Sequence, residues 1–189
     1  MKKILVMAAM VLSSVGAFAQ HEVGSFTLQP KFGMNVANLT GDDADAIKSK
    51  VGFVAGVEGE YQFTDMISGA VGVLYSQQGG AGKHDSDYKL KLDYINVPVV
   101  CNVYVAKGLA VKAGVQFGFN VNDEETYDGH KISNLDAKGF DFSIPVGLSY
   151  EYSNFVLDAR YNWGLTKLHE HAKVNNSVFQ FTLGYKFAL

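Results

Sequence analysis

The chain has 189 residues, a length that suits one domain. Hydrophobic residues make up 48% of it and aromatic residues 13%, with 20 glycines against three prolines and a mean hydropathy of +0.03, too low for several apolar helical spans. With Lys2 and Lys3 removed in the leader identified below, 14 of the 16 basic residues remain against 19 acidic ones, a net charge of −5 that argues against nucleic acid as a partner. Cys101 is the only cysteine, so neither an internal disulfide nor a thiolate metal cluster is available.

Residues 1–19 read as a secretory signal peptide. Lys2 and Lys3 form the positive start, Ile4 to Val15 the apolar stretch, and Ala17-Phe18-Ala19 the small-x-small cleavage site, leaving Gln20 to begin a mature domain over 20–189. No cysteine follows the cleavage site, so no lipid anchor is expected there.

From Phe26 onward, eight segments show period-two alternation. The first sets Phe26, Leu28, Phe32, Met34 and Val36 against Thr27, Gln29, Lys31, Gly33 and Asn35, with Pro30 predicting a local irregularity in the ladder. The second, Val51 to Phe63, sets Phe53, Ala55, Val57 and Tyr61 against Gly56, Glu58, Glu60 and Gln62. The third, Ile67 to Gln77, opposes Val71, Val73 and Tyr75 to Ser68, Ala70, Gly72 and Ser76, with Leu74 an apolar exception. In the fourth, Tyr88 to Tyr104, Leu90, Leu92 and Tyr94 are out of phase with Ile95, Val97, Val99, Cys101 and Val103, and a β-bulge between Asp93 and Asn96 would return both stretches to one face.

The fifth, Leu109 to Val121, opposes Val111, Ala113, Val115 and Phe117 to Lys112, Gly114, Gln116 and Gly118. The sixth opposes Phe140, Phe142, Ile144, Val146 and Leu148 to Asp141, Ser143, Gly147 and Glu151, and the seventh opposes Phe155, Leu157, Ala159, Tyr161 and Trp163 to Asp158, Arg160 and Asn162. The eighth, Val178 to Leu189, alternates Phe179, Phe181, Leu183, Tyr185, Phe187 and Leu189 with Gln180, Thr182, Gly184 and Lys186. The connections at 38–50, 78–87, 122–139 and 165–176 are long and polar, whereas those near 64–66, 106–108 and 152–154 are short. All the long ones then lie at one end, as in an eight-stranded antiparallel up-and-down transmembrane β-barrel with four extracellular loops.

Alternation does not by itself say which face meets lipid. A soluble carrier would line a cavity with the apolar set. Segments of about 10 to 13 residues instead match a tilted membrane strand. Aromatic residues gather at both ends of the apolar face, Tyr75, Tyr88, Phe119, Phe140, Trp163 and Phe179 towards the long connections and Phe26, Phe63, Tyr150, Phe155 and Phe187 towards the short ones. The opposite face carries Lys31, Glu58, Glu60, Lys112, Asp141, Asp158, Arg160 and Lys186, which are expected to pair as an interior charge network, since a buried charge persists only if paired. An interior filled this way disfavours an open pore, water-filled channels being a feature of barrels of about 16 strands.

Tyr94-Ile95-Asn96-Val97-Pro98, Ala159-Arg160-Tyr161-Asn162-Trp163-Gly164-Leu165 and the closing Gly184-Tyr185-Lys186-Phe187 resemble the outer membrane protein β-barrel domain, or porin-family, proteins of Bacteroidetes-type bacteria. The resemblance covers essentially the whole mature chain. It implies the cell outer membrane as location, with membrane lipid and lipopolysaccharide as partners. It also implies contact with the barrel-assembly machinery during biogenesis through a C-terminal signal formed by Gly184, Tyr185, Phe187 and Leu189, the last standing where phenylalanine is commoner.

No catalytic set is expected. His21, His84, His130, His169 and His171 all lie outside the alternating segments. His169-Glu170-His171 has ligand spacing, and Asp123-Glu124-Glu125 with Asp128 is acidic, yet neither completes a metal motif, so neither cofactor nor metal is expected. The reading is a structural, surface-contact or adhesion-type barrel without catalysis. A narrow pore for small solutes is the alternative, ahead of a soluble periplasmic carrier and a lipid-modifying enzyme.

Overall fold

The structure is a computed structural model that describes residues 21–40, 47–82, 89–127, 130–133, 139–167 and 175–189. Its strands are β1 (Phe26–Thr40), β2 (Ile47–Gln62), β3 (Ile67–Gly82), β4 (Lys89–Ala106), β5 (Leu109–Tyr127), β6 (His130–Ser133), β7 (Phe140–Tyr152), β8 (Phe155–Lys167), β9 (Asn175–Tyr185) and β10 (Phe187–Ala188). All pairings are antiparallel. β1 joins β2 on one side and β9 with β10 on the other, which closes the sheet. β10 continues β9 past Lys186, and β6 folds back on β5, so the closed wall has eight strands. The signal peptide expected at 1–19 lies outside the described residues.

The pairing register fixes the barrel's shape. Stepping across partners from Asn35 through Gln180, Arg160, Gly147, Lys112, Asn102, Ser68 and Gln62 returns to β1 at Ser25, whose carbonyl accepts the Gln62 N–H at 3.0 Å. One circuit thus slips ten residues along β1. At about 3.3 Å per residue and about 4.8 Å between strands, that shear implies a tilt near 41° and a backbone radius of about 8 Å. Such a cylinder has room inside for side chains and little else.

The apolar set faces outward. Phe32, Val51, Phe53, Val71, Val73, Leu148, Leu157, Trp163 and Phe181 are all exposed, while Lys31, Leu74, Val156, Asp158, Asn162 and Gln180, which alternate with members of this set, are buried. Rings pair towards both ends of this surface, Phe119 with Phe140 at 5.7 Å at the long-connection end and Phe155 with Tyr185 at 5.1 Å at the other. Phe32, Phe117 and Phe181 extend the aromatic surface between the ends.

Pro30 faces the one interruption of the last strand. Its ladder with β2 is regular, but on the β9 side the pairing passes from Lys31–Gly184 to Leu28–Phe187 across Lys186, so the missing proline donor coincides with the break between β9 and β10. The short turns are tight, and Gly108 takes a φ of +76° in the one between β4 and β5.

Two expectations need correction. No bulge in β4 restores Leu92 and Tyr94 to the outer face; both point inward at 2% and 1% exposure, in step with Asn96 and Asn102. The register shift near Asp93 is real, but the extra residue is Val121 of β5, because Asp93 pairs with Asn122 and Tyr94 with Asn120. Secondly, much of the sequence expected to form long connections is strand. β3 runs to Gly82, β5 runs to Tyr127, and β6 forms a hairpin with β5. The eight residues that follow Phe119, up to Tyr127, carry β5 about 26 Å beyond the ring pair along its own direction. Both faces of such a ribbon meet water, so the alternation that marks a strand in lipid is lost there.

Candidate functional site

The interior is built from the inward positions of all eight wall strands and has three levels. At the centre, Arg160 of β8 forms a bidentate pair with Glu58 of β2, Nη1 to Oε1 at 2.6 Å and Nη2 to Oε2 at 2.8 Å. Its Nε and Nη2 also donate to the two oxygens of Asp158, both at 2.8 Å. Lys31 of β1 donates to Glu58 at 2.6 Å and lies 3.5 Å from Asp158, and Lys112 of β5 donates to Asp158 at 2.7 Å. Each of these five side chains is at most 4% exposed. Three cations and two carboxylates share one layer, with the planar guanidinium fork satisfying both carboxylates at once.

Towards the short turns lies a second cluster. Lys186 Nζ is 2.9 Å from both Glu60 Oε2 and Glu151 Oε2, and it donates to the Tyr104 hydroxyl at 3.0 Å. Tyr104 and Ser68 both donate to Glu60 Oε1, at 2.6 and 2.5 Å, and Asn102 donates to Ser68 at 3.0 Å. The segment before β1 crosses this end of the barrel. Its Gly24 N–H donates to the Gln62 carbonyl at 2.8 Å, and His21 Nε2 reaches Glu151 Oε1 at 2.9 Å.

Towards the long connections the inward positions become mainly neutral or apolar, with Asp93 and Asp141 the buried carboxylates. Val54, Leu74, Leu92, Tyr94 and Val178 are buried there beside Asn35, Ser76, Asn96 and Gln180. Asn35 donates to Ser76 at 2.7 Å, and Gln78 donates to the same hydroxyl at 2.9 Å.

Of the eight charges expected inside, Lys31, Glu58, Lys112, Asp158 and Arg160 meet in the central layer and Glu60 and Lys186 in the lower cluster. Asp141 stands apart. It is inward and 9% exposed, near the loop end of β7, with no salt-bridge partner among the described residues. Glu151, Tyr104, Ser68 and His21 complete the lower cluster without having been singled out from sequence. The phase of β7 places Glu151 on the inner face, whereas nothing in the alternation marks His21 or a tyrosine as an ionic partner. Of the C-terminal residues, Gly184 is buried against Gln29 and Pro30, while Tyr185, Phe187 and Leu189 face outward. His84, His169, His171, Glu170 and Asp128 lie outside the described residues. Among the described residues no group of three metal-ligating side chains comes together.

An outward apolar band, an inward polar filling and a closed wall leave no unsatisfied sheet edge in lipid, the arrangement that lets a β-sheet cross a membrane. Solved structures agree on this fold. Ail, the attachment invasion locus protein of Yersinia pestis, superposes with a TM-score of 0.57 at 18% identity, covering 88% of this chain and 100% of that one. Neisserial surface protein A gives 0.57 at 16% identity, covering 86% and 97%. The complex of Ail with the heparin analogue sucrose octasulfate gives 0.56 at 17% identity, covering 88% and 100%. No curated protein matches the sequence. Residues 18–170 match the family described as outer membrane protein beta-barrel domain, and the chain belongs to that family, an eight-stranded barrel of the outer membrane.

Proposed function

We propose that the protein is a non-catalytic surface-contact barrel, a sealed stand that presents its extracellular ribbons and connections to molecules outside the cell. The observation that carries this reading is the central layer. Arg160, Glu58, Asp158, Lys31 and Lys112 occupy the axis of a cylinder about 8 Å in backbone radius with their charges mutually paired. Passage of a hydrated solute would require separating those pairs, and a layer that costs so much to open is suited to rigidity.

The other half of the reading is the length of β2 to β5 beyond the apolar band, since binding roles fall on extensions held by a rigid scaffold. The likeness to Ail, whose name records attachment and which has been crystallised with a heparin analogue, makes sulfated glycans the first ligands to try. Lipid and lipopolysaccharide surround the barrel in this account, and Gly184, Tyr185, Phe187 and Leu189 serve as the recognition strand for the assembly machinery.

The test compares cells displaying the full protein with cells displaying a variant whose residues 41–46, 83–88, 122–139 and 168–174 are replaced by short Gly-Ser turns. Both are checked for heat-modifiable migration, then assayed for adherence to immobilised sulfated glycan and to host-cell matrix. The full protein is expected to raise adherence and the trimmed one to lose the gain. Equal adherence by both, or no gain from the full protein, would overturn the surface-contact role.

A further inference from the structure

Beyond the apolar band, β2 to β6 continue as a sheet whose register is fixed strand by strand. Lys48 pairs with Ala81, Ala81 with Lys89, Lys89 with Thr126, and Thr126 with Lys131. Those five positions form one cross-strand row, with a lysine on every second strand and a small residue between. At about 4.8 Å from strand to strand, the lysine positions repeat every ~9.6 Å. The chain has 19 acidic residues against 16 basic, yet no carboxylate stands in this row.

Positions in one row share a face of a sheet, and successive rows alternate. Gln78 and Leu92 are register partners buried in the lumen, at 4% and 2% exposure. The rows of Lys91 and of Lys89 are one and three steps further along, so both belong to the opposite, outward face. The row between them, Ser49, Gly80, Leu90, Glu125 and Ile132, belongs to the lumenal face. Lys91 is 40% exposed and already has Asp93 at 3.5 Å. Ile95, the partner of Phe119 in the upper ring pair, lies six residues below Lys89. That is about 15 Å along the barrel axis at a tilt near 41°. The lysine row thus looks sideways from above the acyl region, into the layer of headgroup sugars and phosphates of the neighbouring outer-leaflet lipid.

We propose that Lys48, Lys89 and Lys131 form a docking row for the phosphate and acidic-sugar groups of the lipopolysaccharide core beside the barrel. Lysine binds phosphate as a point charge, so successive ammonium groups can take anionic groups from adjacent lipid molecules. A row that stands on the side of the sheet favours lipid packed against the barrel over a ligand arriving from outside. It ties β2, β4 and β6 to the envelope from without, as the central ionic layer ties the wall from within. The proposal rests on the outer-membrane location alone, so it stands or falls separately from the surface-contact role.

The probe is purified rough lipopolysaccharide with a phosphorylated inner core, added to the folded full-length barrel in zwitterionic micelles, with binding measured by thermophoresis at low and high salt. Parallel arms use the same lipopolysaccharide after phosphatase treatment, inorganic phosphate, and heparin. The wild type is expected to bind the phosphorylated form, less tightly as salt rises, and the treated form about tenfold more weakly or worse. The triple variant Lys48→Gln, Lys89→Gln, Lys131→Gln should keep heat-modifiable migration and lose roughly fivefold per lysine, about a hundredfold in all. Arginine at the same three positions should retain binding, and Lys107→Gln, in the turn between β4 and β5 at the other end, should leave it unchanged. Equal affinity of the wild type and the glutamine triple would overturn the proposal, as would a wild type indifferent to phosphatase treatment. Heparin bound more tightly than lipopolysaccharide, through the same lysines, would assign the row to an external glycan and overturn the lipid assignment. Inorganic phosphate bound as tightly as lipopolysaccharide would reduce the row to a free-anion site and overturn it too. If the glutamine triple does not fold, Lys89→Gln decides: unchanged affinity contradicts the proposal, and a loss of about fivefold upholds it.

Discussion

Arg160 is the residue on which the interior turns. Its guanidinium makes four hydrogen bonds to two carboxylates that have already lost their water, so truncating it strips those bonds at once and leaves Glu58 held by Lys31 and Asp158 by Lys112 beside an emptied space. Removing one partner from a buried ionic cluster typically costs about 3–5 kcal/mol. Arg160→Ala is therefore expected to lower the urea and thermal midpoints of heat-modifiable migration by that order. Equal midpoints for wild type and Arg160→Ala would mean that the layer contributes nothing to stability.

The same residue shows what the sequence discloses at this scale. The phase of each strand puts Arg160, Glu58, Asp158 and Lys31 on the inner face, and that much is legible from alternation. Which inward charges meet depends on the ten-residue slip around the barrel. Asp158 and Lys112 come from strands separated by β7, and Lys186 reaches Glu151 from beyond the end of β9. No local pattern encodes such pairings, which is why phase alone groups Asp141 with the network and does not reveal that Glu151, Tyr104 and His21 join the lower cluster.

At the scale of the element, the outward faces carry the argument. Val146 of β7 sits in the middle of its strand, outward, between Ala113 and Tyr161, while Tyr152 ends the strand at the short-turn rim. In lipid the penalty for a charge depends on depth. Val146→Arg should destabilise the barrel by about 2–4 kcal/mol and Tyr152→Arg by about 0–1 kcal/mol, measured by equilibrium urea unfolding in lipid vesicles. Equal costs for the two would contradict the lipid-facing assignment of this band.

β4 is the element that sequence reading misjudged, and the reason is physical. Leu92 and Tyr94 look like members of an outward stripe because they are large and apolar, yet near the loop end the lumen itself is filled with such side chains, Val54 and Leu74 among them. Two apolar environments on opposite faces erase the contrast on which alternation depends. The extra residue Val121 lies in β5, so the register shift beside Asp93 leaves the phase of β4 unchanged. The extensions of β3 and β5 beyond the apolar band escape a reading by alternation for the complementary reason, since two polar faces leave no contrast to read.

For the whole molecule, closure is what converts these local features into a function. The β1 ladder with β9 and β10 joins the ends of the chain, and the central ionic layer then ties β1 and β2 to β8 and β5 across the inside. Wall and filling support one another, and β2 to β5 continue from that base beyond the apolar band. That picture rests on the lumen being sealed. The most direct test is single-channel recording of the folded, heat-modifiable wild-type protein in planar bilayers in concentrated potassium chloride. The account predicts a quiet baseline without stepwise openings, and reproducible unitary steps from the wild-type barrel would contradict it.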